Sequence, residues 1–233
     1  MGTVGQIVCS VCGGQAFNAT YPVLWPDLIN AWQLSSYEVE YIDAQQGRCC
    51  SRCGSNLRSI ALAKAVLAAV VADGSLSEFV SSAKSATFKI LEINEAGTLN
   101  PFLKQLPGHT FGSYPQVDMH ALPYADRSFD LVIHSDTLEH VSSPLHALLE
   151  CARVLKSGGA ICYTVPVVIG RLTRSREGLP KSWHGDPTQT GDDWLVYTEF
   201  GADFWTLPLQ AGFRNVSIFA VEFPAAISIC AYV

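Results

Sequence analysis

Two pairs of cysteines near the start of the 233-residue chain have the spacing of metal ligands. The pairs are Cys9 with Cys12 and Cys50 with Cys53, and glycine follows each pair directly. Four thiolates form the tetrahedral, closed ligand set of a structural zinc site. Glycine lets the backbone turn sharply enough to aim amide groups at the sulfur atoms. The spacing therefore predicts a zinc knuckle built from both pairs.

The cysteine pattern leaves alternatives open. Cys49 competes with Cys50 as a ligand, although Cys50 keeps the CxxCG spacing. A redox-active CxxC pair or scattered core thiols would also fit, but two matched pairs in one chain favour zinc. A disulfide is disfavoured because we expect the protein in the reducing cytoplasm. The remaining cysteines lie in apolar helix or strand patterns, which predicts buried, inert thiols: Cys151, Cys162 and Cys230.

A second group of polar residues stands at the ends of three apolar runs. The runs cover residues 89–93, 129–133 and 160–165, and helix-like segments separate them. Strands this apolar, alternating with helices, indicate a parallel sheet covered on both faces. Ligands of such sheets bind outside the carboxyl ends of the strands. The polar residues at the ends of the runs are therefore candidates for a binding site: Glu92, Asn94, His134, Ser135, Asp136 and Thr164.

The stretch ALPYADRSFDLVIHSDTLEHV, followed by RVLKSGGAICYTVP, resembles the class I S-adenosylmethionine-dependent methyltransferases, especially the type 11-like group. The resemblance is close over about a third of the chain and looser from Ser75 onward. It implies an α/β fold, Rossmann-like and doubly wound, with a mostly parallel seven-stranded sheet. The zinc-ribbon-like module and a connecting helix would occupy residues 1–72, and the methyltransferase domain residues 73–233. The implied cofactors are S-adenosylmethionine (SAM) and a structural Zn²⁺.

The resemblance also assigns cofactor-binding roles in the turn after the first strand. Glu92 matches the family's acidic residue there, and Gly97 matches a late glycine of the turn. Asn94 and Ala96 stand where glycines are usual. Asparagine tolerates a positive φ better than most residues, which keeps Asn94 compatible with the turn.

Further along, Asp118 matches the position that accepts a hydrogen bond from the adenine amino group, and Met119 would lie against the ring. Backbone around His134 and Ser135 would border the methionine moiety. No acidic residue stands where the family binds ribose; the predicted second strand, residues 109–114, offers Ser113 and Tyr114 instead.

The loop of residues 171–193 is polar and rich in glycine and proline, and its first part, residues 171–181, is basic. Its cations are followed by Trp183 and His184, and loops in this position commonly cover the substrate in the family. A basic loop with an aromatic residue and a histidine favours an anionic or sugar-like acceptor, and a solvated loop is the equal alternative. We nominate His184 as the general base, with His140 a lesser candidate. The loop's cations are Arg171, Arg174, Arg176 and Lys181.

The leading functional hypothesis is methyl transfer to oxygen of a small-molecule or glycan-type acceptor, with transfer to nitrogen or carbon left open. The alternative is a catalytically degenerate fold that serves as a zinc-bearing binding or scaffold module. Net charge is −6, and residues 1–72 carry four basic and four acidic side chains, so the acidic excess lies in residues 73–233. No segment is basic enough to predict nucleic-acid binding.

The start of the chain lacks a signal-peptide pattern, and its longest apolar stretch, residues 60–72, is too short to span a bilayer. We expect a cytoplasmic protein without a membrane partner, of undetermined oligomeric state. Further patterns predict helices over residues 25–32 and 58–72, a capping box at Ser35 and Glu38, and a helix that begins at residues 199–201. The last two strands, residues 213–221 and 227–233, are expected to be antiparallel.

Overall fold

The computed structural model describes residues 7–183 and 191–233. The strands, in chain order, are β1 (Ile90–Ile93), β2 (His109–Gly112), β3 (Phe129–Ser135), β4 (Leu155–Thr164), β5 (Val167–Val168), β6 (Arg174–Ser175), β7 (Thr198–Gly201), β8 (Asn215–Val221) and β9 (Ala226–Tyr232). The α-helices are α1 (Pro26–Trp32), α2 (Ser36–Gly47), α3 (Leu57–Ala69), α4 (Leu76–Val80), α5 (Asn100–Leu103), α6 (Pro144–Val154) and α7 (Thr206–Gln210). In this part of the chain no helix combines the length and the apolar character needed to cross a bilayer.

The central sheet has the strand order β2-β1-β3-β4-β9-β8. Strands β2, β1, β3 and β4 are parallel, whereas β9 is antiparallel to both β4 and β8. The prediction of a mostly parallel α/β sheet with two antiparallel final strands is confirmed. The predicted count of seven strands is wrong for the described residues, which form six in this sheet. Residues 113–128, between β2 and β3, run through successive turns and leave β2 at the sheet's edge.

Alternating residues of the strands bury two faces. Leu131 and Ile133 of β3 join a hydrophobic cluster with α3 and α4, whereas Val132 joins a second cluster with α6. Both clusters are continuous across neighbouring strands, so each face of the sheet lies against helices. Burial on both faces explains why the strand sequences are uninterrupted apolar runs and do not alternate between apolar and polar residues.

Helix α3 docks on the sheet and buries most of its residues. It begins where the Asn56 side chain accepts a hydrogen bond from the Ser59 amide at 2.9 Å, which satisfies one free amide of the first turn. Ser228 of β9 donates to the Ala61 carbonyl at 2.7 Å. Helix α1 has Pro26 in its first turn, and Ser35 and Glu38 form a capping box at α2, so both local predictions are confirmed.

A second, three-stranded sheet of order β5-β7-β6 lies beside the main one. The predicted helix beginning at residues 199–201 is wrong, because these residues belong to β7. Strand β7 pairs with β5 in parallel and with β6 antiparallel, and all four of its residues are buried. The pairing satisfies its backbone groups, and the local pattern could not reveal either partner strand.

The amino-terminal segment packs into the same core as the sheet. Cys9 and Val11 are fully buried in the cluster that contains α3 and part of β9. Backbone hydrogen bonds of 2.8 Å and 3.0 Å join Ser10 and Val11 to Leu76 and Ser77 at the start of α4. The domain division at residue 72 stays a prediction, and the two segments share one hydrophobic cluster.

Candidate active site and metal centre

The predicted zinc ligands converge on one point. The Sγ atoms of Cys9, Cys12, Cys50 and Cys53 all lie within 4.8 Å of one another. The Cys9–Cys53 and Cys12–Cys50 pairs are each 3.7 Å apart. A disulfide would require about 2.0 Å, whereas the corners of a ZnS₄ tetrahedron with 2.3 Å bonds lie about 3.8 Å apart. The four thiols therefore fit a tetrahedral metal ion.

Cys49 lies outside this cluster, with its Sγ 3.7 Å from the Gln46 carbonyl oxygen. Cys50 is the member that joins the other three, in agreement with the CxxCG spacing. Gly14 fits closely against the cluster, because a Cβ added there would lie 2.9 Å from Cys50 Sγ. The left-handed conformations of Gly13 and Gly54 complete the two turns.

Burial raises the pKa of the Cys9 thiol well above its ordinary value. Burial acts in the same direction on Cys53, but hydrogen bonds from the Ser55 hydroxyl and amide lower the pKa of Cys53 below its ordinary value. A bound cation would supply the charge that stabilises the thiolate forms. The donor set, its separations and its burial all fit zinc.

The turn after β1 takes the backbone conformations that the sequence predicts. Asn94 has a φ of 54° and Gly97 a φ of 55°, so asparagine does occupy a left-handed position here. The Asn94 amide donates to the Gly112 carbonyl at 2.8 Å, and its side-chain oxygen accepts from the Tyr114 amide at 3.0 Å. Asn94 therefore ties the turn to the end of β2.

Glu92 is fully buried beneath this turn, and three groups bind its carboxylate. The Ala96 amide donates at 2.8 Å, the Asn100 side-chain amide reaches both oxygens at 3.0 Å, and His109 Nε2 lies 2.7 Å from Oε2. These contacts join β1, β2 and α5 around one carboxylate. The geometry gives Glu92 a role in holding the shape of the turn, and direct cofactor binding by Glu92 stays a prediction.

Polar side chains meet at the ends of β3 and β4. Ser135 Oγ lies 2.9 Å from Thr164 Oγ1, which donates to Asp136 Oδ1 at 2.9 Å. Arg58, in the first turn of α3, forms an ion pair with Asp136 Oδ2. This cluster lies at the carboxyl ends of the parallel strands, where ligands of α/β sheets bind. The sequence pointed to Asp136 and Thr164 by position, but the pairing of Arg58 with Asp136 joins residues 78 positions apart and had no local signal.

Glu139 lies directly beyond this cluster and is buried. Burial raises its pKa well above the ordinary value, and the nearby Asp136 carboxylate raises it further. Its neighbour His140 places Nδ1 3.1 Å from the Leu195 carbonyl oxygen, which can only accept, so Nδ1 carries a proton. Burial lowers the pKa of His140, which favours the neutral ring.

His134 and Ser135 occupy the end of β3 as predicted, but the His134 ring faces the protein interior. It is fully buried and stacks on Tyr163 with ring centroids 4.9 Å apart. Burial lowers its pKa to about 3, and neither ring nitrogen has a hydrogen-bond partner among the described residues. Only the His134 backbone remains available for the predicted role beside the cofactor.

Asp118 and Met119 lie in the turns between β2 and β3. Asp118 is half-exposed, with Oδ1 accepting from the amide of His120 at 2.8 Å and lying 2.8 Å from its Nδ1. The amide is the larger cause of the lowered pKa of Asp118. Met119 is buried in the same cluster as α6. Asp118 thus presents a charged carboxylate with one oxygen engaged, and its predicted contact with adenine stays a prediction.

The three arginines of the basic loop lie around one carboxylate, that of Glu199. Glu199 of β7 is fully buried and forms ion pairs with Arg176 and, at 2.8 Å, with Arg174; Arg171 lies 3.7 Å away. Arg171 also lies 3.8 Å from Glu38 of α2. Three guanidinium groups therefore face two carboxylates, and Arg174 is half-exposed. The predicted basic loop is neither wholly solvated nor wholly free for a ligand.

The proposed base His184 lies outside the described residues, so its geometry is not part of the site.

Two polar atoms in the first turn of α3 could form hydrogen bonds with a ligand. Arg58 Nε and Ser59 Oγ are buried and have no hydrogen-bond partner among the described residues. A Cβ added to Gly97 would lie 2.9 Å from Ser59 Oγ, which places this hydroxyl against the turn. The carboxyl ends of the parallel strands therefore fit a ligand with an anionic end and hydrogen-bonding groups.

Comparison with known proteins gives a family match over residues 53–163. The matched family is described as "Methyltransferase domain", and the match runs from Cys53 of the cysteine cluster to Tyr163 of β4. No curated protein matches the chain.

Among solved structures, the chain is similar to a SAM-dependent methyltransferase from Thermotoga maritima, with 18% identity over 67% of this chain and 88% of that one, at a TM-score of 0.38. It is also similar to PigF with SAH, with 17% identity, 66% and 53% coverage and a TM-score of 0.42. The cyclase SpnF gives 22% identity, 62% and 58% coverage and a TM-score of 0.39. The chain thus spans little more than half the length of the last two.

Proposed function

We propose that this chain, a SAM-dependent methyltransferase, transfers a methyl group to an oxygen atom of a small-molecule or glycan-type acceptor. The observation that carries the proposal is the polar cluster at the ends of β3 and β4, where Arg58, Asp136 and Thr164 meet beside the left-handed turn of Asn94 and Gly97. The four-cysteine cluster holds a structural zinc ion. We place the protein in the cytoplasm, without nucleic-acid or membrane partners.

SAM supplies an electrophilic methyl group on a sulfonium centre. The residues around it would bind and align it. Arg58 and Ser59 suit the carboxylate of its amino-acid end, because a guanidinium forms strong charge-assisted hydrogen bonds with carboxylates. We assign the adenine end to Asp118 and Met119, the ribose to Ser113 and Tyr114, and the methionine moiety to backbone at His134 and Ser135.

A hydroxyl acceptor must lose its proton during transfer, which calls for a general base near the reacting oxygen. We assign that role to His184, because it stands in the loop after β4 and histidine is the side chain most often used as a general base near neutral pH. His140 is the alternative base. Its proton on Nδ1 leaves Nε2 able to accept a proton when the ring is neutral.

The proposed acceptor class is supported by the small sheet that begins directly after β4. Strand β7 continues from a segment whose Tyr197 amide donates to the Glu139 carbonyl at 2.7 Å, so this sheet lies beside the polar cluster. Its excess of arginine over carboxylate groups, with Arg174 half-exposed, favours an anionic or sugar-like molecule. The chain's net charge of −6 argues against nucleic acid.

A non-catalytic, zinc-bearing scaffold is the second candidate. It is favoured by Ala96 at a usual glycine position and by a Glu92 carboxylate that protein groups already occupy. Binding of S-adenosylhomocysteine (SAH) distinguishes the two candidates, because a scaffold that has lost catalysis need not retain it.

The acceptor proposal predicts labelling of anionic sugars. The zinc-loaded chain, incubated with methyl-labelled SAM and a panel of neutral sugars, carboxylated sugars and sugar phosphates, is expected to label the anionic members at oxygen. Arg174→Ala should raise the acceptor KM about tenfold, because one charge-assisted hydrogen bond is lost, and should leave SAH affinity unchanged. Arg214→Ala, an exposed arginine of the segment before β8, is the control. Equal labelling of neutral sugars, with an unchanged KM for Arg174→Ala, would contradict the acceptor class.

A further inference from the structure

Ser55 joins the cysteine cluster to the turn after β1. Its hydroxyl is fully buried, lies 3.2 Å from Cys53 Sγ and accepts a hydrogen bond from Thr98 Oγ1 at 2.7 Å. Thr98 directly follows Gly97 of the left-handed turn. A single side chain therefore touches a metal ligand on one side and the candidate cofactor site on the other.

The direction of these hydrogen bonds depends on the charge of Cys53. A metal-bound thiolate can only accept, so Ser55 would donate its proton to Cys53 Sγ and keep its lone pair for Thr98. The resulting series of hydrogen bonds runs from the Thr98 hydroxyl through the Ser55 hydroxyl to the Cys53 sulfur. Each hydroxyl donates one hydrogen bond in this series.

Ser55 and the residues that follow it also connect the cysteine cluster to α3. The Ser55 carbonyl accepts from the Cys50 amide at 2.8 Å, and Asn56 caps the helix. Two residues later Arg58 pairs with Asp136, and Ser59 faces Gly97. Five consecutive residues thus link the second cysteine pair to both the turn after β1 and the end of β3.

We infer that Ser55 is a positioning residue that couples metal binding at the cysteine cluster to cofactor binding at the turn after β1. The inference rests on the proposed cofactor site. Coupling between two binding sites is reciprocal, so metal loss weakens cofactor binding by the same factor as cofactor loss weakens metal binding. The partner ligands are a thiophilic divalent cation and SAM or SAH.

Cobalt substitution provides a spectroscopic test, because the absorption of a Co²⁺–thiolate site reports on hydrogen bonds to sulfur. Titration of the Co²⁺-loaded chain with SAH is expected to shift these bands, and Ser55→Ala should abolish the shift. Saturation with SAH that leaves the bands of the wild-type chain unmoved would overturn the inference while leaving the cofactor site intact. No SAH binding by the wild-type chain would overturn both.

Calorimetry supplies a second, independent readout. Ser55→Ala and Thr98→Val should each weaken SAH binding at least about fivefold, at the lower end of typical coupling, and the double variant no further. Each should retain its zinc. Ser85→Ala is the control, since the partners of this buried hydroxyl among the described residues are the Val80 and Ser82 carbonyls. Among the described residues the Thr98 hydroxyl bonds to Ser55 and to no cysteine. Thr98→Val therefore tests the coupling if Ser55→Ala loses metal. Additive losses, or unchanged affinity in Thr98→Val, would overturn the coupling.

Discussion

Replacing Cys50 with alanine is expected to remove stoichiometric zinc and to lower the free energy of unfolding by more than about 3 kcal/mol, since structural zinc contributes folding energy directly. The cluster is buried in the core shared by α3 and the sheet. Metal loss should therefore loosen residues 7–54 first and then the start of α4, which is hydrogen-bonded to Ser10 and Val11. Elemental analysis and denaturant unfolding measure both effects.

Cys49→Ala is the matched control, because the adjacent thiol lies outside the cluster. It should retain zinc and change stability little. A reduced wild-type chain purified without any bound metal would contradict the zinc assignment. Retention of full zinc by Cys50→Ala together with its loss from Cys49→Ala would show that the ligand is Cys49.

Glu199→Gln should destabilise the protein by about 3–5 kcal/mol, the usual cost of leaving a buried charge without its partner. Arg176 is itself buried, and the remaining bond that it donates, to the Pro180 carbonyl at 2.6 Å, does not neutralise it. Its guanidinium also lies over the Trp32 ring at 5.5 Å, so the change should loosen the packing of α1 on the small sheet. Thermal and denaturant unfolding measure the loss.

The exposed Glu177 lies on the same loop and provides the control Glu177→Gln, which should be neutral. The double variant Glu199→Gln with Arg176→Met should recover part of the lost stability, because the uncompensated charge is gone. A loss below about 1 kcal/mol for Glu199→Gln, the range of an exposed ion pair, would show that the arginine cluster is solvated.

Local patterns in the sequence predicted the elements that position the site. The apolar runs marked β1, β3 and β4, and three of the polar residues at the ends of the last two runs, Ser135, Asp136 and Thr164, do meet. The CxxCG spacing chose Cys50 over Cys49, and asparagine's tolerance of positive φ made Asn94 acceptable in the turn. Each of these inferences depends on a few neighbouring residues, which is why it could be made from the chain alone.

Contacts between distant segments could not be predicted in this way. Charge spacing in the loop revealed three arginines but not the Glu199 carboxylate that they surround. The same residue sits in β7, where a helix was expected, because two partner strands far away in sequence override local preference. Glu92 was recognised, but its partners Asn100 and His109 come from α5 and β2 and became evident only with the fold.

Hydrogen–deuterium exchange of the zinc-loaded chain, with and without saturating SAH, tests whether the carboxyl ends of the parallel strands form a cofactor site. Bound SAH should slow exchange in residues 94–98, 112–119 and 134–137, which lie at the carboxyl ends of β1, β2 and β3 or directly after them. Asp118→Ala should reduce that protection by weakening binding. Protection confined to the cavity of about 610 Å³ beside the cysteine cluster, near Lys64, Glu78 and Glu222, would contradict the proposed site. Exchange unaltered by SAH throughout the chain would contradict cofactor binding itself.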